Sequence, residues 1–136
     1  MAIELEIVTP EEKIFDSQVD SVILPGIEGE MDVLANHTPL VTTLNPGELR
    51  YRKDGEQVSM AVGEGILEIT ANRVAVLTDL AIDEADIDEA VVEQALQRAK
   101  DALAEKVSEE EIAAVEASIL KSLAQLNLKR RRRRNI

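Results

Sequence analysis

A chain of 136 residues suits one compact domain plus an appendage. With one Phe (Phe15), one Tyr (Tyr51), no Trp and no Cys, its core must be packed from small aliphatic side chains, and disulfides, thiolate metal sites and cysteine nucleophiles are excluded. The 27 acids against 15 lysines and arginines give a formal net charge of -12, so the body repels polyphosphate. No apolar run approaches the roughly 20 residues that cross a bilayer, and Met1-Ala2-Ile3-Glu4 has no basic region ahead of an apolar one. We expect a soluble chain without an export signal.

All six glycines and all four prolines lie between Pro10 and Gly65, which predicts a turn-rich first part and an unbroken second part. Ile3, Leu5 and Ile7 alternate with Glu4 and Glu6, the period-2 signature of a half-buried strand. Breaks follow at Pro25-Gly26 and Asn45-Pro46-Gly47. Asp54-Gly55, between Leu49-Arg50-Tyr51-Arg52 and Val58-Ser59-Met60, is a hairpin signal, because both central positions of a type I′ turn need positive φ. Val58, Met60 and Val62 alternate next; after a break at Ala71-Asn72, Val74 and Val76 flank Ala75. Strands near five residues long give about eight to ten in about 80 residues. Residues 1–82 are therefore expected to form an antiparallel β-sandwich or flattened barrel, and the whole chain an α+β fold.

From Asp83 the period changes. Asp86-Ile87-Asp88-Glu89 has the form of a helix start, and Ser108-Glu109-Glu110-Glu111 reads as a capping box. Val92, Leu96, Ala99 and Leu103 fall on one stripe, and Ile112, Val115, Ile119, Leu123 and Leu126 on another. Residues 83–136 are expected to form an antiparallel two-helix hairpin, each helix about 20 residues and about 30 Å long. Hinges are expected around Ile82, Asp83 and Asp86, and around Lys106, Val107 and Ser108. Narrow aliphatic stripes do not by themselves offset the ordering of two helices. The hairpin should take its stability from docking, and two docked arrangements of similar free energy are physically allowed.

No catalytic motif emerges. The one histidine, His37 in Asn36-His37-Thr38-Pro39, has no Gly-x-Ser-x-Gly or cysteine partner, and no phosphate-binding loop or metal-ligand spacing is present. We expect no enzyme activity, no cofactor and no metal. The final Lys129-Arg130-Arg131-Arg132-Arg133-Arg134 run is a basic handle on an acidic molecule. An adaptor for soluble partners, or a nucleic-acid binder using this run, remain open on the residues alone.

Gly29-Glu30-Met31-Asp32-Val33-Leu34-Ala35-Asn36-His37-Thr38-Pro39-Leu40 resembles a signature of the epsilon subunit of F-type ATP synthases. Thr43 to Arg50, Met60 to Ile69, Asn72 to Leu77 and Asp86-Ile87-Asp88 resemble further segments of that family in the same order. The resemblance implies a β-sandwich followed by a helical hairpin, in a non-catalytic rotor subunit. Its β domain would join the gamma subunit to the ring of c subunits, and its hairpin would extend toward the catalytic alpha and beta subunits and block ATP hydrolysis. It implies a gamma and c-ring interface at Glu30 and His37, and contact with an acidic loop of the beta subunit through Lys121, Lys129, Arg130, Arg131, Arg132, Arg133 and Arg134.

By the same resemblance the chain meets its membrane only through the complex, is monomeric alone and binds no nucleic acid. The Ile/Leu-Asp-x-x-Arg-Ala motif associated with ATP binding is missing: Glu110-Glu111-Ile112-Ala113-Ala114-Val115 has no arginine, and Ile87-Asp88-Glu89-Ala90-Val91-Val92 has Val91 in its place. Tight ATP binding is not expected. The missing motif and the Thr43–Arg50 stretch resemble photosynthetic members, which points to a peripheral position on a cyanobacterial thylakoid, with a bacterial plasma membrane as the alternative.

Overall fold

The computed structural model describes residues 2–105 and 108–134, with the side chains of Arg132, Arg133 and Arg134 left out. Ten strands come first: β1 (Ile3–Val8), β2 (Lys13–Val19), β3 (Ser21–Gly26), β4 (Gly29–Val33), β5 (Leu40–Leu44), β6 (Gly47–Lys53), β7 (Glu56–Val62), β8 (Gly65–Ile69), β9 (Arg73–Thr78) and β10 (Ala81–Asp83). A 3-10 turn, Glu84–Asp86, leads to α1 (Glu89–Ala104) and α2 (Glu109–Arg134). The strands form one sheet in the order β10-β7-β6-β3-β5-β8-β9-β1-β2, with β4 added on β3. It folds on itself where β2 meets β6: Phe15 lies 4.7 Å from Tyr51 between ring centroids, and Lys53 Nζ donates to Ser17 Oγ at 2.6 Å.

Alternation decides which side chains enter. Ile3, Leu5 and Ile7 of β1 are buried and join Leu24, Leu44, Leu49, Leu67 and Val76 in a first core. At the β6–β7 hairpin Asp54 and Gly55 both have positive φ, 52° and 81°, so Lys53 faces Glu56 in register. Two details of the sheet differ from the sequence expectation. Pro25 and Gly26 continue β3, and the chain turns two residues later, before Gly29 at φ 119°. Pro25 can stay in the strand because its carbonyl still accepts from Asn45 N at 2.8 Å, and only its missing N–H goes unused. The sheet is not wholly antiparallel: β1 runs parallel to β9, Leu5 opposite Val74, a pairing between strands so distant in sequence that no local crossover helix is required.

The helices are unequal, 16 and 26 residues, rather than two of about 20. Asp88, not Asp86, caps α1, its carboxylate accepting from Ala90 N at 3.1 Å and Val91 N at 3.3 Å; Asp83 caps the 3-10 turn instead. Ser108 caps α2 through Glu111 N at 3.3 Å. A second, smaller core joins the hairpin to the sheet: Ala61 of β7, Ile87, Val92, Leu126 and Leu128, with Ile82 and Leu96 packed against them. Leu123, expected on the inner stripe, is 37% exposed, whereas Leu128 is buried. The stripe shifts there because the last turns of α2 pack on β6 and β7 as well as on the start of α1, which changes the face that must be apolar.

Candidate functional site

Period 2 along β6 buries Leu49 and turns Glu48 and Arg50 to the opposite face. Register then assembles a row under α2: Glu48 of β6 faces Ala61 of β7, which faces Ile82 of β10, with Arg50 opposite Ser59 one step along. The second half of α2 lies on this face and brings bases to several of its acids. Lys121 Nζ lies 3.3 Å from Asp79 Oδ2. Lys129 Nζ lies 3.4 Å from Glu84 Oε1 and donates to the Glu84 carbonyl at 3.2 Å. Arg130 Nε pairs with Glu89 at 3.0 Å, and its Nη2 with Glu93. Arg131 donates to Glu48 of the β domain.

Glu48 is the most enclosed of these acids, its side chain 11% exposed. Burial pushes its carboxyl up, but hydrogen bonds from Arg131 and Arg50, with a smaller contribution from Ser59, outweigh this and hold it below the ordinary carboxylate value. Arg50 Nη1 reaches Glu48 Oε1 at 2.5 Å, and Arg50 Nη2 reaches Glu30 Oε2 at 2.6 Å. One planar guanidinium thus joins the tip of β4 to the contact with α2. Gly63 makes room at the edge of this surface: a Cβ there would stand 2.1 Å from Asp79 Oδ1 and 3.2 Å from Lys121 Cδ.

The other sequence-predicted residues fall as follows. Glu30 lies at the start of β4 with its side chain 60% exposed, and its partner is Arg50 rather than His37. His37 sits in the β4–β5 loop beside Asn36 (φ 64°), with Nδ1 donating to the Thr38 carbonyl at 2.7 Å. Ile82 and Asp83 are paired with β7, and Asp86 ends the 3-10 turn, so the extended backbone between sheet and α1 falls at Ile87 and Asp88. Lys106 and Val107 lie outside the described residues, and Ser108 is the cap of α2. The sequence reading missed Glu48 and Arg50 as a functional pair. Their alternation about Leu49 was visible; their partner Arg131 was not.

Beside this contact lies an open groove of about 780 Å³, walled by the Asn45-Pro46-Gly47 turn on one side and by Leu120, Leu123 and Asn127 of α2 on the other.

A folded sheet carrying a helical hairpin docked by ion pairs has relatives. Residues 2–84 match the family described as "ATP synthase, Delta/Epsilon chain, beta-sandwich domain", which sets the molecule in the delta/epsilon class of ATP synthase subunits. Over 133 residues it is 38% identical to the ATP synthase epsilon chain of Herpetosiphon aurantiacus, covering 98% of both chains. Over 134 residues it is 40% identical to that of Dehalococcoides mccartyi, covering 98% of this chain and 96% of the relative. The chain belongs to the ATP synthase epsilon-chain family, and is a non-catalytic subunit of that membrane-associated enzyme's rotor. In solved structures it is similar to a chain of the Euglena gracilis mitochondrial ATP synthase, "OSCP/F1/c-ring in rotational state 1", with TM-score 0.71, 25% identity and coverage of 88% and 76%. A chain of the Tetrahymena thermophila mitochondrial ATP synthase, 14% identical with TM-score 0.67 over 95% and 97%, shares the fold.

Proposed function

We propose that residues 1–82 anchor this rotor subunit between the gamma subunit and the c ring, with Glu30 and His37 at that edge. Residues 83–136 are then a regulatory arm, and their docking on the β domain supports a folded-down position as one of its two states. In the extended position its bases, Lys121, Lys129 and Arg130 to Arg134, meet an acidic loop of the catalytic beta subunit and oppose ATP hydrolysis. One observation carries this reading: Lys121, Lys129, Arg130 and Arg131 each already hold a carboxylate of their own chain. Release of the arm therefore exchanges carboxylate for carboxylate, and the recognition chemistry needed in either position is the same.

The arm does not bind ATP tightly, because Val91 stands where the nucleotide motif has arginine and three glutamates open α2; calorimetry on the isolated chain should find no micromolar affinity. The membrane is an energy-transducing one. Relatives from Herpetosiphon and Dehalococcoides favour the bacterial plasma membrane over the thylakoid suggested by the Thr43–Arg50 stretch. The test of the main proposal is to add the chain to an epsilon-depleted ATPase. Hydrolysis should fall, and a chain lacking residues 129–136 should inhibit less, with the larger deficit at low ionic strength, where charge contacts are least screened. Equal inhibition by both chains would refute the role given to the basic end.

A further inference from the structure

Glu30, Arg50, Glu48 and Arg131 form a chain of alternating charge that begins on an exposed strand tip and ends on the arm. Its middle is tight. Arg50 and Arg131 both donate to the same oxygen of Glu48, Oε1, while Oε2 is enclosed and makes no hydrogen bond among the described residues. Two guanidinium groups are thus drawn onto one carboxylate oxygen and would repel each other without it. Docking of α2 also removes water from Glu48, a cost that Arg131 offsets. At the other end the Glu30 carboxylate is open to a partner, whereas Arg50 is largely enclosed, its side chain 20% exposed.

We propose that Glu48 is the latch holding the arm on the β domain, and that Arg50 couples this latch to Glu30. A cationic partner that engages Glu30 releases one arm of the Arg50 fork, which then turns wholly to Glu48 and competes with Arg131. The contact of α2 weakens, and binding at the β4 tip favours release of the arm at Arg131, 101 residues further along the chain. The latch stands on the docked geometry alone. Only its consequence for hydrolysis rests on the regulatory reading above, and the following assay involves no ATPase.

The full chain contains no cysteine, so one introduced thiol reports one site. Ala61, a fully buried β7 residue of the second core, is a probe for lifting of the arm, and Val74, in the first core, is a probe for opening of the sheet. Labelling of Ala61→Cys should accelerate about five- to tenfold when Glu48→Gln is added, the range for a partly buried charge contact. Arg131→Gln should act in the same direction. Adding it to Glu48→Gln should slow labelling again, because the arginine repulsion disappears. Glu30→Gln should give a smaller rise, about twofold. Labelling of Val74→Cys should not change with any of them. Unchanged Ala61→Cys labelling in the Glu48→Gln and Arg131→Gln chains would overturn the latch, as would a parallel rise at Val74→Cys. An unchanged rate in Glu30→Gln alone would overturn the coupling to Glu30.

Discussion

Sixteen buried side chains from nine strands make up the first core, whereas five hold the hairpin to the sheet. The first region is closed by apolar packing in which almost every strand reads in-out; the second combines a small apolar contact with a fringe of ion pairs. Burial is the larger and less salt-sensitive term. The sheet should therefore unfold as a unit, and the arm should leave it at a lower free energy. A part that moves against a part that anchors needs this inequality.

Two glycines two residues apart give the sharpest way to break the comparison. A Cβ on Gly65 would lie 1.9 Å from the Leu77 carbonyl oxygen, backbone against backbone between β8 and β9. Gly65→Ala should cost about 4 kcal/mol or more, and thermal melting should show loss of the sheet itself. Next comes Leu126→Ala, which empties the centre of the second core. It should weaken docking by about 2–3 kcal/mol while leaving the melting of the strands almost unchanged. Gly63→Ala first meets the Asp79 and Lys121 side chains. These can swing aside, so the expected cost is about 1 kcal/mol and falls on the arm alone.

The smallest effects are those of pH, and they separate the regions by sign. The folded Glu48 carboxyl titrates below its ordinary value, so its contribution to docking is complete above about pH 4.3 and is lost as pH falls through the lower folded value. Divided by the rate of a free thiol at the same pH, which corrects for the thiolate fraction, labelling of the Ala61→Cys probe should rise in acid and be flat between about pH 6 and 8. Tyr51, in the first core, behaves oppositely: burial, with the nearby Asp83 charge, raises its hydroxyl above the usual value. Its contribution is complete below about pH 10 and is lost as pH rises through the higher folded value, so alkali should act on the sheet. As the chain has one tyrosine, its phenolate absorbance gives this titration directly.

Much of the first region was legible because its rules are local. Ile3, Leu5 and Ile7 announce their face by alternation, and Asp54-Gly55 announces its turn by the φ it requires. Pro25-Gly26 misled because a proline whose carbonyl is satisfied can remain in a strand when only its missing donor goes unused. The arm was legible as two helices, yet not in its ends. Asp86 and Asp88 are equally good caps in sequence, and only the 3-10 turn before Ile87 selects the second. Leu123 and Leu128 exchanged places because the sheet joins α1 as a covering partner toward the end of α2, which no single helical period records. Glu30 and His37 stood out through their motif. Glu48 gained meaning only when Arg131, 83 positions later, was folded onto it.

The central claim, that sheet and arm are separate cooperative units, is tested most directly by amide hydrogen exchange of the full chain across a series of low denaturant concentrations. The account predicts that amides of α2 around Leu126 exchange through an opening of lower free energy and weaker denaturant dependence than those of Val74 and Val76. If both sets open with one free energy and one denaturant dependence, the hairpin is a fixed part of a single cooperative fold and the account of a releasable arm is contradicted.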